Sequence, residues 1–162
     1  MTTGIGYDSH RLTEGRRLII GGVEIPFEGK GLAGHSDADC LVHSIIDALL
    51  GAAGLGDIGM MFPDTEAQWK DANSIELLRA VVRRISECGL EVTWLDCVVI
   101  AERPRLRPYI DSMKQAIAAS GIGAGLINIK AKTNETMGFI GRGEGIAAIA
   151  TCLLQKRQGL KM

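Results

Sequence analysis

Aromatic residues, cysteines and long apolar segments are scarce in this sequence of 162 residues. Aromatic residues make up 4% of the chain, which predicts a core of Leu, Ile, Val and Ala. The four cysteines form no Cys-x-x-Cys pair, and a chain of this length needs no disulfide framework. Every uncharged apolar segment is shorter than the about 18 residues of a membrane span, and charged residues interrupt the N-terminal region where a signal peptide would be apolar. We therefore expect a protein of a reducing compartment, the cytoplasm.

The sequence also lacks an excess of either sign of charge, since the formal net charge is −1. A nucleic-acid-binding protein normally has a strongly basic balance or a basic stripe, so this class is disfavoured. The length fits one domain, which we assign to residues 1–162, with a core large enough to fold without staples.

Strand and helix patterns together predict an α+β fold. Gly21-Gly22, between two short apolar runs, predicts a β-hairpin. Apolar spacing predicts a helix over residues 37–53, with Ser36 or Asp37 as its N-cap, and Asn73 is expected to cap a second helix. The later elements are a strand over 90–101, a helix between Pro108 and Gly121, a strand over 126–133 and a final helix over 146–156. We expect an α/β sandwich: a small mixed four-stranded sheet with helices packed on one face, plus the N-terminal β-hairpin.

All three histidines lie in the first 43 residues. His10 forms an Asp-x-His pair with Asp8, and an extended segment places both side chains on one side. Zinc accepts such oxygen and nitrogen ligands, although a polar surface turn can contain the same pair. His43 lies four residues from both Asp39 and Asp47 on an otherwise apolar helix. A histidine in that setting is more often a satisfied core residue, but a carboxylate that orients it favours a metal ligand.

The segment before this helix contains His35 and Ser36. The free N–H groups of a helix N-terminus suit an anion, so both residues are candidates for contact with a phosphate.

A second group of candidate residues lies in the C-terminal half. Three arginines, Arg103, Arg105 and Arg107, occupy a proline-stiffened loop after a strand. Arginine binds phosphate through paired hydrogen bonds, although a solvated loop can have the same composition. Strand ends and glycine-rich turns, such as residues 132–135 and 138–145, are common ligand sites in α/β folds. Together, the two groups predict a metal-dependent enzyme that acts on a phosphate ester.

Five segments form a recognisable set: Gly4–His10, Gly34–Asp39, Gly56–Gly59, Phe62–Thr65 and Gly138–Gly145. In order, and over essentially the whole chain, this set resembles the 2-C-methyl-D-erythritol 2,4-cyclodiphosphate synthase family. The resemblance implies a bacterial homotrimer with active sites between subunits. It also implies an enzyme of the non-mevalonate isoprenoid pathway, which converts 4-diphosphocytidyl-2-C-methyl-D-erythritol 2-phosphate into the cyclic diphosphate and releases CMP.

The resemblance also implies a role for individual residues. Asp8, His10 and His43 would bind zinc, and Glu135 would hold a second divalent ion, Mg²⁺ or Mn²⁺. His35 and Thr133 are similar to the residues that stabilise the transition state. The implied substrate contacts, beyond Asp8, His10, His35 and Ser36, are Asp57, Ile58, Gly59, Phe62, Pro63, Asp64, Thr65 and Glu66 for methylerythritol, and Ala101, Glu102, Arg103, Pro104, Arg105, Leu106, Arg107, Lys132, Thr133, Asn134 and Glu135 for cytidine diphosphate. Phe139 and Arg142, also counted as ligand contacts, would lie near the central cavity of the trimer.

Two alternative functions remain at this stage. The first is another zinc-dependent phosphohydrolase, in which water attacks the phosphate. The second is a non-catalytic trimer that binds an isoprenoid diphosphate, although a passive cavity needs no open metal site.

Overall fold

The computed structural model describes residues 1–69 and 72–157, and within them seven strands form two sheets. The larger sheet has five strands in the order β4-β1-β7-β5-β6, and the smaller pairs β2 with β3. The strands are β1 (Thr2–Glu14), β2 (Leu18–Ile20), β3 (Val23–Ile25), β4 (Lys30–Leu32), β5 (Leu90–Ile100), β6 (Ile127–Lys132) and β7 (Gly145–Lys156). Only β5 and β6 run parallel in the larger sheet, which confirms the predicted mixed sheet. The predicted single domain includes residues 70, 71 and 158–162, which lie outside the described residues.

The predicted final helix over 146–156 is wrong, because this segment forms β7. Its alternate residues, from Ile146 to Leu154, are buried, and it pairs with β1 on one side and β5 on the other. A central strand with a largely apolar sequence resembles a buried helix in composition, and its alanines and leucines favour that interpretation. The sheet consequently has five strands in place of the expected four.

Of the five helices among the described residues, the three with nine or more residues pack against this sheet and the hairpin. The helices are α1 (Cys40–Ala53), α2 (Ile58–Met61), α3 (Ser74–Glu87), α4 (Ile110–Ala118) and α5 (Gly138–Gly141), and short 3₁₀ turns occur at Ala67–Trp69, Arg107–Tyr109 and Ala124–Leu126.

Asn73 caps α3 as predicted, with its side-chain oxygen accepting a hydrogen bond from the Ile75 N–H at 2.9 Å. The N-cap predicted for α1 is wrong. Asp39 takes that place and accepts from Val42 N–H at 3.1 Å, so the helix begins at Cys40.

Asp39 also anchors the β2–β3 hairpin. Its carboxylate is fully buried and accepts hydrogen bonds from the backbone N–H groups of Gly21 at 2.9 Å and Gly22 at 2.6 Å. Both glycines have positive φ, 62° and 73°. This is the backbone conformation that a Gly-Gly pair favours in a hairpin turn, so the predicted hairpin is confirmed. One carboxylate therefore joins the hairpin to the start of α1.

The helix α1 lies directly on β1 because two glycines leave room for it. A Cβ atom on Gly6 would overlap the backbone oxygen of Ser44, and one on Gly4 would overlap the backbone oxygen of Ala48. The core around this contact consists mainly of Leu, Ile, Val and Ala, as predicted. Cys97 is one of the buried residues, and burial raises the pKa of its thiol to about 12.

One face of the larger sheet carries large exposed apolar side chains. Ile5 and Tyr7 of β1 are 70% and 55% exposed, and Trp94 of β5 is also exposed. The neighbouring positions with opposite orientation, such as Leu95 and Cys97, are buried. Among the described residues, no helix has the length and apolar character needed to cross a membrane.

Candidate active site

The β1–α1 contact brings three possible metal ligands together. Asp8 and His10 are alternate residues of β1, so their side chains project from the same side of the strand as Gly6. His43 lies in the first turn of α1. The glycine contact holds these two elements close together, and the Asp-x-His pair thereby meets a histidine 33 residues further along the chain.

The ligand atoms of this cluster are closely spaced. Asp8 Oδ2 lies 2.9 Å from His10 Nε2 and 3.0 Å from His43 Nδ1, and the two nitrogens are 3.3 Å apart. Two ligands on one tetrahedral zinc ion, each at about 2.0–2.2 Å, are about 3.3–3.6 Å apart. The spacing and the set of one oxygen and two nitrogens therefore fit zinc, with small side-chain movements.

The charges of the cluster are mutually stabilised. Burial by itself raises the pKa of Asp8, but hydrogen bonds from His10 and His43 outweigh this effect and hold its pKa well below the usual range. Burial by itself lowers the pKa of His43, and the hydrogen bond and charge of Asp8 outweigh it, so the pKa is raised. A carboxylate held ionised in this way is suited to a cation.

The second nitrogen of His43 lies beside Ser36, a residue for which the sequence analysis predicted an N-cap or a phosphate contact. Its Nε2 lies 3.1 Å from the hydroxyl oxygen of Ser36. Neither Asp39 nor Asp47 orients the ring, contrary to the expectation from their spacing. Asp39 binds the hairpin, and Asp47 accepts a hydrogen bond from Ile58 N–H at 2.8 Å. Asp47 thereby positions the start of α2, and burial raises its pKa.

Asp8, His10 and His43 together form the metal cluster, that is, the cluster of possible metal ligands. They line a cavity of about 410 Å³. His35 is exposed on its rim, and Ser36 lines it beside the cluster. Its further lining comes from Asp47, Ile58, Gly59, Phe62, Asp64, Trp69 and Leu77. Sequence reasoning missed Trp69 and Leu77 because nothing distinguishes them locally from ordinary core residues.

Four residues expected to contact methylerythritol are absent from this lining: Asp57, Pro63, Thr65 and Glu66. Asp57 caps α2 by accepting from Met60 N–H at 2.9 Å. Pro63 accepts a hydrogen bond from Glu66 N–H at 3.1 Å through its carbonyl, so these two residues shape the loop.

The predicted nucleotide residues meet at the ends of β5 and β6. Because these strands are parallel, their carboxyl ends lie at the same edge of the sheet, where Ala101 N–H donates to Lys132 O at 2.9 Å. A cavity of about 170 Å³ at this edge is lined by Ala101, Glu102, Pro104, Arg105, Leu106, Arg107, Ala131, Lys132 and Thr133. The edge therefore presents a concave surface with several cationic side chains.

The loop after β6 is held by two acidic residues. Thr133 donates its hydroxyl hydrogen to Glu135 Oε1 at 2.6 Å. Glu102 accepts from the backbone N–H groups of Asn134 at 3.3 Å and Thr136 at 3.4 Å. Glu135 itself has a positive φ of 50°. These bonds fix the place of the Glu135 carboxylate relative to the nucleotide cavity.

The metal cluster and the nucleotide residues do not share a cavity within one chain. No described residue lines both the 410 Å³ and the 170 Å³ cavity. Arg103 and Arg142 line a third cavity of about 280 Å³, and Arg142 Nε donates to Glu144 Oε1 at 2.6 Å. Phe139 is exposed on α5. The predicted site residues therefore form separate groups on the surface of the monomer.

A mixed sheet with an Asp–His–His cluster beside a cavity defines an α+β protein equipped to bind a divalent metal near a small molecule. A sequence profile described as the YgbB family matches residues 1–155. The chain belongs to this family.

Named relatives agree with this membership. A Laribacter hongkongensis protein named 2-C-methyl-D-erythritol 2,4-cyclodiphosphate synthase is 57% identical over 155 residues, which are 95% of each chain. The bifunctional IspDF from Campylobacter jejuni is 43% identical with a TM-score of 0.92, over 97% of this chain and 42% of that chain. The CDP-bound form of a 2C-methyl-D-erythritol-2,4-cyclodiphosphate synthase is 35% identical with a TM-score of 0.85, over 94% and 99% of the two chains. The predicted family resemblance is confirmed.

Proposed function

We propose that this chain is an enzyme that converts 4-diphosphocytidyl-2-C-methyl-D-erythritol 2-phosphate into 2-C-methyl-D-erythritol 2,4-cyclodiphosphate and CMP. The observation that carries the proposal is the cluster of Asp8, His10 and His43 at the cavity, in a chain 57% identical to a relative of that name. The reaction belongs to the non-mevalonate isoprenoid pathway. Its proposed location is the bacterial cytoplasm, where the four free cysteines stay reduced.

The reaction requires no nucleophile from the protein. An oxygen of the substrate's 2-phosphate attacks the β-phosphorus, a new P–O bond forms, and the bond between the β-phosphorus and the CMP oxygen breaks with its electron pair leaving on CMP. The protein therefore contributes by folding the substrate so that its two ends meet and by placing cations around the diphosphate.

The residues near each cavity divide these tasks. Asp8, His10 and His43 would hold zinc, and Glu135 would hold Mg²⁺ or Mn²⁺, which commonly binds one or two carboxylates together with substrate phosphates. Bound divalent ions offset the negative charge of the diphosphate and of the departing CMP. His35 and Thr133 would stabilise the transition state. In support, His35 lines the 410 Å³ cavity and Thr133 donates a hydrogen bond to the Glu135 carboxylate.

The position of the Arg-containing loop supports the nucleotide part of the proposal. Arg105 and Arg107 line the cavity at the end of β5, together with Lys132 of β6. Their charges suit the two phosphates of a cytidine diphosphate, as paired N–H donors match phosphate oxygens. A CDP-bound structural relative with a TM-score of 0.85 is consistent with this assignment.

The proposal is tested by following oxygen during turnover. In ¹⁸O-labelled water the chain should release CMP and the cyclic diphosphate in equal amounts, with no label in either product, and a chelator should stop the reaction. Solvent label in the product would replace this function by that of a zinc-dependent phosphohydrolase. Binding of the substrate without CMP release in metal-replete protein would instead identify a non-catalytic diphosphate-binding protein.

We also propose that three copies of the chain assemble into a homotrimer whose active sites lie between subunits. Two features support this assembly. The metal cluster and the nucleotide residues line separate cavities of one chain, so a neighbouring copy is needed to bring one of each together. The sheet face with Ile5, Tyr7 and Trp94 is apolar and exposed in the monomer, and such a face is typical of a surface that is covered by another chain.

Complementation between two inactive variants tests the shared site. His43→Ala damages the metal half and Glu135→Gln damages the nucleotide half, so each variant alone should be inactive. When both are unfolded, mixed in equal amounts and refolded together, about a quarter of the interfaces pair two intact halves, and this fraction of wild-type CMP release should return. Each variant refolded alone is the control. No recovery in mixed trimers of confirmed composition would place the complete site within one chain.

A further inference from the structure

The short loop that carries His35 and Ser36 has open space on both sides. Ser36 lines the 410 Å³ cavity beside the metal cluster and also a second cavity of about 250 Å³ behind the loop. His35 is exposed and Ser36 is half-buried, so side-chain packing at these two residues is limited. The position of the loop depends on hydrogen bonds to a greater degree than that of a segment packed in the core.

The two ends of the loop are tied to the fold. Ala33 N–H donates to Arg11 O at 2.9 Å, and Asp37 Oδ2 accepts from Ser74 N–H at 2.8 Å. Between these ends, the backbone of residues 34–36 has one hydrogen bond among the described residues, which comes from Arg16. Within the described part of the chain, the Arg16 side chain thus makes the only hydrogen bond to the backbone of residues 34–36.

The guanidinium of Arg16 joins this loop to the end of β4. Its Nη2 donates to Ser36 O at 2.8 Å, and its Nε donates to Leu32 O at 3.1 Å. The fork of N–H groups on arginine suits such a double contact, because one rigid planar group fixes two acceptors relative to each other. The adjacent Arg17 differs, since its side chain is exposed and, among residues 1–69 and 72–157, pairs only with Glu24 Oε2 at 3.3 Å.

Ser36 links the loop to the metal cluster through His43. Its Oγ accepts from Ala38 N–H at 3.3 Å and lies 3.1 Å from His43 Nε2. A metal ion on His43 would take the lone pair of Nδ1, the nitrogen that faces Asp8 Oδ2, so the hydrogen of the neutral ring would then lie on Nε2 and be donated to Ser36. This contact leaves the Nδ1 lone pair for a metal and the Ser36 hydroxyl hydrogen for an anion in the cavity.

We propose that Arg16 is a positioning residue that holds the Ser36 backbone in place, so that the Ser36 hydroxyl orients the His43 ring for metal binding. The inference rests on the proposed function for its effect on turnover, but its effect on zinc affinity is independent of any substrate. Arg16 touches neither the metal ligands nor the cavity that would hold the reacting groups; it acts through the loop.

A double-mutant cycle on zinc affinity tests this role. Arg16→Ala and Ser36→Ala should each weaken zinc binding about tenfold, measured by competition with a chromogenic chelator, because loss of a group that orients a ligating histidine has effects of this order. The double variant should be weakened about tenfold as well, since both changes remove the same contact. Arg17→Ala is the matched control and should bind zinc as the wild type does.

Two further measurements separate positioning from a general loss of structure. Arg16→Lys keeps the charge and one donor nitrogen but not the planar fork, so it should recover part of the zinc affinity. It also serves if Arg16→Ala does not fold. With Co²⁺ in place of zinc, the visible absorption of Arg16→Ala should change in shape, and that of Arg17→Ala should not.

The outcomes are distinct. If Arg16→Ala binds zinc as tightly as Arg17→Ala does, the role of Arg16 is overturned. An additive loss of about a hundredfold in the zinc affinity of the double variant would overturn it as well. If the two substitutions affect zinc affinity non-additively as expected but the wild-type protein never releases CMP, the role of Arg16 stands and the proposed function is overturned. If the function holds, kcat should fall in Arg16→Ala with zinc saturating, because His35 and the Ser36 hydroxyl are displaced with the loop.

Discussion

His43→Ala is expected to lose bound zinc and to reduce CMP release to background. His43 is 8% exposed and supplies the only cluster ligand from α1, with its Nδ1 3.0 Å from Asp8 Oδ2. The variant leaves Asp8 and His10, and two protein ligands from one strand are one fewer than a catalytic zinc site normally has. Elemental analysis of the purified protein and a CMP-release assay measure the two effects.

The third histidine of the chain provides a matched control. His35→Ala removes an exposed imidazole on the rim of the same cavity but none of the three clustered ligand atoms. It should keep its full zinc content even if turnover falls. Full zinc occupancy in His43→Ala would show that the cluster is not the metal site.

Gly6→Ala is expected to destabilise the protein by about 3 kcal/mol, the upper part of the range for forcing an extra carbon into a packed contact. The new Cβ would overlap Ser44 O and would lie 2.8 Å from Ala48 N and 2.9 Å from Asp47 Cβ. Backbone atoms of α1 cannot rotate away as a flexible side chain can, so the helix must move off the strand. Zinc affinity should also fall, because the same contact holds His43 beside Asp8 and His10.

Gly51→Ala is the control for this change, since Gly51 lies on α1 and a Cβ there would meet nothing within 4 Å. It should raise the free energy of unfolding by about 0.5–1 kcal/mol, because alanine favours a helix interior. Chemical denaturation of all variants at one protein concentration measures the differences. Equal stability of Gly6→Ala and the wild type would mean that β1 and α1 are not in tight contact.

Local features of the sequence were enough to predict several elements. The Gly21-Gly22 turn, the Asn73 cap and the strands β5 and β6 depend on residues close in sequence, and the structure confirms them. The Asp-x-His pair is also local, because alternate residues of any strand face the same side. Composition likewise predicted an aliphatic core.

Features that depend on distant partners could not be predicted in this way. The segment 145–156 becomes a strand because β1 and β5 flank it, and its own alanines and leucines favour a helix. Asp39 lies four residues before His43, yet its carboxylate faces the hairpin glycines. Ser36 or Asp37 was expected to cap α1, whereas Asp39 caps it and the Ser36 hydroxyl lies beside His43 Nε2. In each case a tertiary contact decided between roles that the local sequence permits equally.

The central place of β7 sets the order in which the protein can be completed during synthesis. β1 is the first of the seven described strands to be made, but β4 pairs only with its last three residues, at Leu12–Glu14. The segment that carries Asp8 and His10 pairs with Ala148 and Ile146 of β7, the last of the described strands to be made. A nascent chain therefore displays both long edges of the unfinished sheet until residues 145–156 leave the ribosome, and such edges are prone to pairing with other chains. The metal ligands of β1 gain their strand partner only after residues 145–156 have been synthesised.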